Sequence, residues 1–457
     1  MSDSFLQDVT MQDLCEEFRN SNRIDSSLYN RYHVCRGLRN ADGSGVLAGL
    51  TNICNVHGYV IDDGEKRPDH GKLIWRGIDL QEIVNGCVSE NRFGYEEVVF
   101  LLLFGRLPNR TELSDFCRIL YNHRELPDGF AEDMIFKAPS NNIMNKLGRS
   151  VLALYSYDPD AEDMSVENLF HQSIRLIAQM PTIMVNAYQV KRRYFDHESM
   201  FFHPANPNHS MAEHILSTLR ADRQFTDDEA HLLDLCLMLH AEHGGGNNST
   251  FACRVLTSVA TDTYSAISAA IGSLKGPQHG GANLKVLEQL SLLKEECSDY
   301  SEGTIADYLK KLLAKEAGDH SGLIYGMGHA VYTMSDPRAV ILKENARALA
   351  EKNGYGEDFA ILETIEKLTP KIISNSKNGG DARQLESSIC ANVDLYSGLV
   401  YRVLNIPPEL FTPLFAVSRT AGWCAHRIEE LLSNRRVIRP AYKSVAGNVG
   451  YTPLNER

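Results

Sequence analysis

Three short segments of the chain place histidines among glycines and other small residues. They are HAEHGGGNNST (240–250), GSLKGPQHGGAN (272–283) and GMGHAVY (326–332). Histidine is the side chain most easily tuned for proton transfer near neutral pH, and glycine lets the backbone turn tightly or approach a ligand closely. One such segment is weak evidence. Three of them, followed by SDPRA (335–339) and NVDLYSG (392–398), indicate a built active site.

Taken together, these motifs resemble those of the citrate synthase family. The likeness extends from GKLIWRG (71–77) to IRPAY (438–442), which is most of the chain. The resemblance implies an acyltransferase that condenses acetyl-CoA, oxaloacetate and water into citrate and CoA through citryl-CoA. It also implies that the CoA thioester is a substrate and that the enzyme needs no cofactor and no metal.

The resemblance assigns three catalytic residues. Asp394 would remove a proton from the methyl group of acetyl-CoA, although a lone Asp after Asn-Val is more often a cap or turn residue. His279 would hydrogen-bond the thioester oxygen and stabilise the enol or enolate, and Ser249 matches the position that orients this ring. His329 would hydrogen-bond the ketone oxygen of oxaloacetate. Without the family likeness, His279 could equally be a core histidine bonded to a backbone carbonyl.

Arginine is the efficient clamp for the two carboxylates of oxaloacetate, because its planar fork binds carboxylate bidentately. Arg338, Arg419 and Arg439 match the three arginine positions of the family, and His243 matches a residue that contacts bound oxaloacetate. In the family the last arginine is supplied across the dimer interface. The resemblance therefore implies a homodimer in which Arg439 serves the partner's site.

The same motifs allow other interpretations. The same catalytic set would serve a 2-methylcitrate synthase that uses propionyl-CoA, and a catalytically silent relative could act as a binding protein. The HAEH sequence could also hold a metal through His240 and His243, but no third ligand lies at a familiar spacing. Thr333 stands where many family members carry a basic residue that touches a CoA phosphate, so Lys377 or Arg383 could supply that charge instead.

Composition narrows the class of protein. The chain has 457 residues and a net charge of −13, without a long basic run, so nucleic acid is not an expected partner. Ten cysteines without a C-x-x-C pair indicate reduced thiols in a cytoplasmic enzyme. The acidic N-terminus resembles neither a secretory signal nor an organelle presequence. No stretch approaches the roughly 20 apolar residues of a membrane helix.

Helical periodicity dominates after about residue 80, whereas the best strand signal is a hairpin within 50–77. The sequence therefore predicts a mainly α fold, and Pro181 is expected to kink or interrupt a long helix. The family likeness adds a two-domain architecture with the active site in the cleft. On that template the large domain is 1–283, the small domain is 284–395, and 396–457 returns to the large domain.

Overall fold

A computed structural model describes residues 10–40, 43–62, 65–277, 279–376, 389–433, 436–447 and 450–456. The chain divides into two compact units, Met1–Leu50 and Thr51–Arg457. The first unit contains helices α1 (Met11–Ser21) and α2 (Ser27–Arg31) and a 3-10 turn at Arg36–Leu38. The predicted division into 1–283, 284–395 and 396–457 stays a prediction.

The second unit is predominantly helical, which confirms the predicted mainly α class. Its α-helices, in chain order, are α3 Leu80–Ser89, α4 Tyr95–Phe104, α5 Arg110–Asn122, α6 Ile143–Leu154, α7 Val166–Lys191, α8 Met211–Leu219, α9 Asp227–His240, α10 Asn248–Thr257, α11 Thr263–Leu274, α12 Ala282–Glu296, α13 Glu302–Leu313, α14 Pro337–Lys352, α15 Gly356–Ser376, α16 Asp394–Val403 and α17 Phe411–Ser433. Among the described residues, no helix is long and apolar enough to cross a membrane.

The predicted hairpin is confirmed as the main part of a small antiparallel sheet. Strand β1 is Cys54–Asp62, β2 is Glu65–Trp75 and the short β3 is Ile78–Asp79. The register pairs Cys54 with Trp75 at the open end of the hairpin and shifts between His57 and Tyr59. The shift marks a bulge-like irregularity, which bends a strand and re-aims its side chains.

Local signals account for several helix ends. Asn109 and Glu112 form a reciprocal capping box at the start of α5, and Thr226 and Glu229 form another at the start of α9. Gly105 ends α4 with a φ of 78°, a left-handed conformation that favours glycine. Of the two outcomes expected for Pro181, interruption of the helix is wrong, and a kink stays a prediction. Helix α7 continues through this residue, because most side chains along its whole length are buried against neighbouring helices.

The helices form two packed groups. Helix α17 is buried over most of its length and contacts α4, α7, α9, α10 and α11. Helices α12, α13, α14, α15 and α16 pack against one another, and α14 also contacts α9. The loops and helix ends between these two groups carry the histidine and arginine motifs described below.

Candidate active site

The loops that carry His329 and Asp394 are tied together through Asn392. The backbone N–H of Asn392 donates to the carbonyl of Gly326 at 2.9 Å, and its side-chain Nδ2 donates to the carbonyl of Gly328 at 2.9 Å. Gly326 has a φ of 80°, and a Cβ there would lie 2.8 Å from the Cα of Leu395. Glycine is therefore required at this contact, which brings together two motifs 64 positions apart.

Backbone hydrogen bonds set the tautomer of His329. Its Nδ1 accepts from the backbone N–H groups of Val331 and Tyr332, each at 3.0 Å. Because Nδ1 is an acceptor in this geometry, the ring proton of the neutral imidazole lies on Nε2. His329 therefore presents an N–H donor on the side of the ring away from its own loop.

Asp394 is the first residue of α16, and its backbone N–H donates to Oδ1 of Asn392 at 3.0 Å. Burial raises the pKa of the Asp394 carboxyl to about 6, with Arg338 and Arg419 acting in the opposite direction and Asp336 in the same one. A carboxylate with a pKa near 6 is a stronger base than an ordinary Asp and is still largely ionised at neutral pH.

Arg419 projects from α17 into fully buried surroundings. Its Nε donates to the carbonyl of His240 at 2.6 Å, and its guanidinium carbon lies 4.6 Å from the ring centroid of Phe415. Its Nη1 and Nη2 have no hydrogen-bond partner within the described part of the chain. Burial lowers the pKa of Arg419 to about 10. Two open donors on a buried cation are costly unless an anion accepts from them, so the arrangement is suited to a carboxylate ligand.

Arg338 is held by the residue that caps its own helix. Asp336 caps α14, and its two carboxylate oxygens accept from Arg338 Nε at 3.0 Å and Nη2 at 2.7 Å. Burial acts to lower the pKa of Arg338, but the charge and hydrogen bonds of Asp336 more than offset it, and the pKa is raised. Arg338 is therefore a fixed cation beside the Asp394 carboxyl.

His243 lies in the turn after α9 and is buried. Its ring centroid is 5.1 Å from that of His329 and 5.5 Å from that of Tyr332. Its Nε2 is buried and has no hydrogen-bond partner among the described residues. Burial, followed by the charge of Arg338, lowers the pKa of His243 well below its usual value, so the ring is neutral. We call His243, His329, Arg338 and Arg419 the arginine group.

His279 occupies a turn that follows α11. Its backbone N–H donates to the carbonyl of Gly276 at 2.9 Å, and its Nε2 lies 3.2 Å from Oγ of Ser249. A Cβ on Gly280 would lie 2.4 Å from the carbonyl oxygen of Leu274, so the turn requires glycine there. Burial, and then the charge of Arg419, lowers the pKa of His279 to about 4. The ring is therefore neutral at physiological pH.

The Ser249 hydroxyl makes three polar contacts at once. Trp423 Nε1 donates to it at 3.2 Å, while Asn247 Oδ1 and His279 Nε2 lie 2.9 Å and 3.2 Å away. The single hydroxyl proton can be donated either to Asn247 or to His279, and this choice sets which ring nitrogen of His279 is protonated. We call His279, Ser249, Asn247 and Trp423 the His279 group.

The chain is similar in sequence and in structure to known proteins. The family model "Citrate synthase, C-terminal domain" matches residues 40–441. The chain is 35% identical over 417 residues to a citrate synthase of Synechocystis sp., covering 91% of this chain and 93% of that protein. A solved citrate synthase structure from Thermotoga maritima aligns with a TM-score of 0.71 at 30% identity, covering 93% of this chain and 99% of that one. The chain belongs to the citrate synthase family.

Family membership makes the chain an acyltransferase, as the sequence motifs predict. A 2-methylcitrate synthase of Corynebacterium glutamicum is also similar, with 30% identity over 421 residues that cover 91% of this chain and 97% of that protein. Relatives of both names, citrate synthase and 2-methylcitrate synthase, thus resemble this chain to a similar degree.

Arg439 lies outside both groups. It is exposed and lies in the irregular segment 436–447. This segment is held by a hydrogen bond in which the Ile438 N–H donates to Ser258 Oγ at 3.1 Å. The structure therefore assembles Arg338 and Arg419 within one chain and leaves the third predicted arginine on the surface. Its assignment to a partner's site stays a prediction.

The metal interpretation of HAEH gains no support from the placement of its side chains. His240 Nδ1 donates to the carbonyl of Cys236 at 2.7 Å, which ties the ring to its own helix. Glu242 is bonded to the His426 ring and to a backbone N–H. Throughout the described ranges, no group of three His, Cys, Asp or Glu residues is arranged to hold a metal ion.

The structure adds neighbours that sequence reasoning missed. Asp336, two positions before Arg338 and next to a proline, carries the signature of a helix cap and could have been found. Tyr332 lies inside a recognised motif, and its buried hydroxyl has no hydrogen-bond partner among the described residues. Trp423 contacts Ser249 across 174 positions, so no local signal pointed to it.

Thr333 faces the hairpin rather than an open phosphate site. Its Oγ1 donates to the carbonyl of Gly58 at 2.5 Å and lies 3.2 Å from the carbonyl of Asp69. The departure from the family's basic residue therefore fixes the loop after His329 against the sheet. Lys377 and Arg383, the predicted replacements for the missing charge, lie outside the described residues.

Proposed function

We propose that this enzyme condenses acetyl-CoA with oxaloacetate and water to give citrate and CoA. The observation that carries the proposal is the burial of Arg338, Arg419 and His243, with open donors on Arg419, beside a carboxyl whose pKa is raised. Open donors suit a small dianion, and a carboxylate base suits the removal of a carbon-bound proton.

In the first step, Asp394 removes a proton from the methyl group of acetyl-CoA. His279 donates a hydrogen bond from Nδ1 to the thioester oxygen and stabilises the enol or enolate. Donation from Nδ1 requires that Nε2 accept from the Ser249 hydroxyl. The 3.2 Å contact between His279 Nε2 and Ser249 Oγ is compatible with that arrangement.

In the second step, the enol carbon attacks the ketone carbon of oxaloacetate. The Nε2–H of His329 hydrogen-bonds the ketone oxygen and stabilises the alkoxide that forms. Arg338 and Arg419 bind the two carboxylates, with His243 as a further contact. The resulting citryl-CoA is hydrolysed in the closed cleft, where exclusion of bulk water protects the reactive intermediate.

The proposal extends to a homodimeric assembly and to the cytoplasm as the compartment. Exposure of Arg439 in one chain agrees with its use in a partner's site, which makes the active unit a homodimer. All ten cysteines are free, as expected of a protein that works in the reducing cytoplasm.

The second candidate is a 2-methylcitrate synthase that uses propionyl-CoA, and the similarity to the Corynebacterium glutamicum enzyme favours it. The same residues would carry both reactions. Discrimination of one methylene in an apolar pocket is worth only about 1–3 kcal/mol, so activity with both thioesters is compatible with one site.

The test is the release of CoA thiol from acetyl-CoA and from propionyl-CoA, each with and without oxaloacetate. If the enzyme is a citrate synthase, CoA release should depend on oxaloacetate, and kcat/KM should be higher for acetyl-CoA than for propionyl-CoA. The Asp394→Asn variant serves as the matched inactive control. A higher kcat/KM for propionyl-CoA would establish the second candidate, and no release from either thioester would overturn both.

A further inference from the structure

A buried polar network lies directly behind His243. Glu242 is fully buried, and its Oε1 accepts from the backbone N–H of Gly244 at 2.5 Å and from Nε2 of His426 at 2.9 Å. The bond to Gly244 spans His243, so it fixes the backbone on both sides of that residue. Gly244 has a φ of 89°, which allows this tight turn.

The orientation and charge of His426 are set by its second partner. Its Nδ1 accepts from Arg254 Nε at 3.1 Å and from Arg254 Nη2 at 2.6 Å. Arginine can only donate, so Nδ1 carries no proton and Nε2 carries it. His426 is therefore a neutral ring that donates to Glu242, and the two side chains form a fixed carboxylate–imidazole pair.

Arg254 is itself held firmly in place. Its Nη1 donates to Glu430 at 2.6 Å, and its Nη2 donates to Glu429. Glu429 also accepts from the backbone N–H of Asn52 at 2.7 Å, just before the first strand of the hairpin. The network thus extends from the hairpin, through α10 and α17, to the turn that presents His243.

Glu242 also supplies negative charge to the arginine group. Burial lowers the pKa of Arg419, and the Glu242 carboxylate is the largest influence acting to raise it. The carboxylate packs directly against the backbone of α17, because a Cβ on Gly422 would lie 2.2 Å from Glu242 Oε2. Glu242 is thus a nearby, rigid counter-charge for a clamp whose outer donors remain open for a ligand.

We propose that Glu242 and His426 are positioning residues for the oxaloacetate subsite. Through the Gly244 bond, Glu242 holds the His243 turn. Through its charge, it balances Arg419, while His426 keeps the carboxylate in place. Neither residue touches substrate. The proposal rests on the proposed function, because oxaloacetate is the ligand that the arginine group binds.

The experiment compares matched substitutions in the full-length enzyme. Glu242→Gln keeps the shape but removes the charge, whereas Glu242→Asp keeps a charged acceptor that can still bond the N–H two residues ahead in an Asx turn. His426→Gln can still donate to Glu242, and His426→Leu cannot. His214→Leu is the control, since His214 is equally buried but lies on α8, away from both groups.

The measurements are the Kd of oxaloacetate by calorimetry, the KM of each substrate and the thermal midpoint. Glu242→Gln and His426→Leu are expected to weaken oxaloacetate binding by about 10- to 100-fold, as for loss of a hydrogen bond to a buried charge. The KM of the thioester should stay within about twofold of wild type, and Glu242→Asp and His426→Gln should recover most of the affinity. His214→Leu should lower the thermal midpoint without changing the Kd.

Unchanged oxaloacetate affinity in a folded Glu242→Gln enzyme would overturn the proposal. A parallel loss of affinity for both substrates, as in a general weakening of the fold, would overturn it as well. If Glu242→Gln does not fold, the oxaloacetate affinities of His426→Leu and His426→Gln test the proposal by the same criteria. Wild-type enzyme that releases CoA from neither thioester would instead refute the proposed function. The calorimetric Kd of oxaloacetate tests the positioning role independently of CoA release.

Discussion

The His279 group and the arginine group lie side by side but satisfy their polar atoms in opposite ways. In the His279 group, the Ser249 hydroxyl is surrounded by protein partners at 2.9–3.2 Å. In the arginine group, Nη1 and Nη2 of Arg419 and Nε2 of His243 are buried with no partner among the described residues. The polar atoms of the His279 group are satisfied by the protein, whereas those of the arginine group are left for a ligand to satisfy.

Under the proposed function, this difference suits each group to a different substrate. A neutral histidine fixed by protein hydrogen bonds is suited to a small adjustment of charge on a thioester oxygen. Open, buried cationic donors are suited to binding a dianion strongly, because the cost of their desolvation is already included in the folded state. The charges of Arg338 and Arg419, both in the arginine group, also act on the Asp394 carboxyl.

The largest expected effect comes from Asp394→Asn, which removes the proposed base. The amide keeps the shape but cannot accept the methyl proton, so kcat should fall by about 100- to 10,000-fold. The Kd of oxaloacetate, measured by calorimetry, should change little, because its proposed contacts are in the arginine group. Turnover like that of wild type would remove Asp394 from the mechanism.

Substituting one histidine in each group separates their roles. His279→Ala and His329→Ala should each lower kcat by about 100- to 1,000-fold, as for loss of one donor to a developing oxyanion. Only His329→Ala should also reduce the polarisation of the bound ketone, which the infrared carbonyl band of oxaloacetate reports. If both variants remain within a few-fold of wild type, the enolate mechanism is wrong.

Arg419→Lys tests whether the open guanidinium donors are a carboxylate clamp. Lysine keeps the positive charge but loses the planar pair of N–H groups, so the KM of oxaloacetate should rise by about 10- to 100-fold. The KM of the thioester should be nearly unchanged, since the His279 group is intact. Equal increases in both KM values would contradict a clamp specific for the keto acid.

The pH dependence of kcat/KM should follow the ionisation of the free enzyme's base. The pKa of Asp394 is raised to about 6, and only the carboxylate form accepts a proton. Activity should therefore be full well above pH 6 and fall about tenfold per pH unit below it. An Arg338→Gln variant removes a charge that lowers this pKa, so its acidic limb should move to higher pH. An acidic limb near pH 4, with no shift in the variant, would exclude this assignment.

The smallest expected signal is a partial recovery in a mixture of two inactive enzymes. If Arg439 completes the arginine group of a partner, Arg439→Ala and Asp394→Asn subunits can combine so that one site holds both intact residues. Equal amounts that re-pair at random should restore about a quarter of all sites, a count that follows from a two-fold symmetric dimer. No recovery in a mixture with proven subunit exchange would place Arg439 in its own chain's site.

Sequence reasoning was strongest where the evidence is local. The helical periodicity and the hairpin before Trp75 depend on residues a few positions apart, and both are present. The expected interruption at Pro181 was wrong, because burial on either side of a proline outweighs its local preference.

The sequence by itself determined the helical class and supplied the motifs of an acyltransferase site. Only the tertiary structure decided how these residues act. It brings the His329 and Asp394 loops together, fixes the protonated nitrogen of His329, leaves the outer donors of Arg419 open, and places Glu242 and His426 behind His243 across 184 positions. Packing between distant segments determines the hydrogen-bond partners and the buried charges. A periodic pattern along the chain therefore does not predict them.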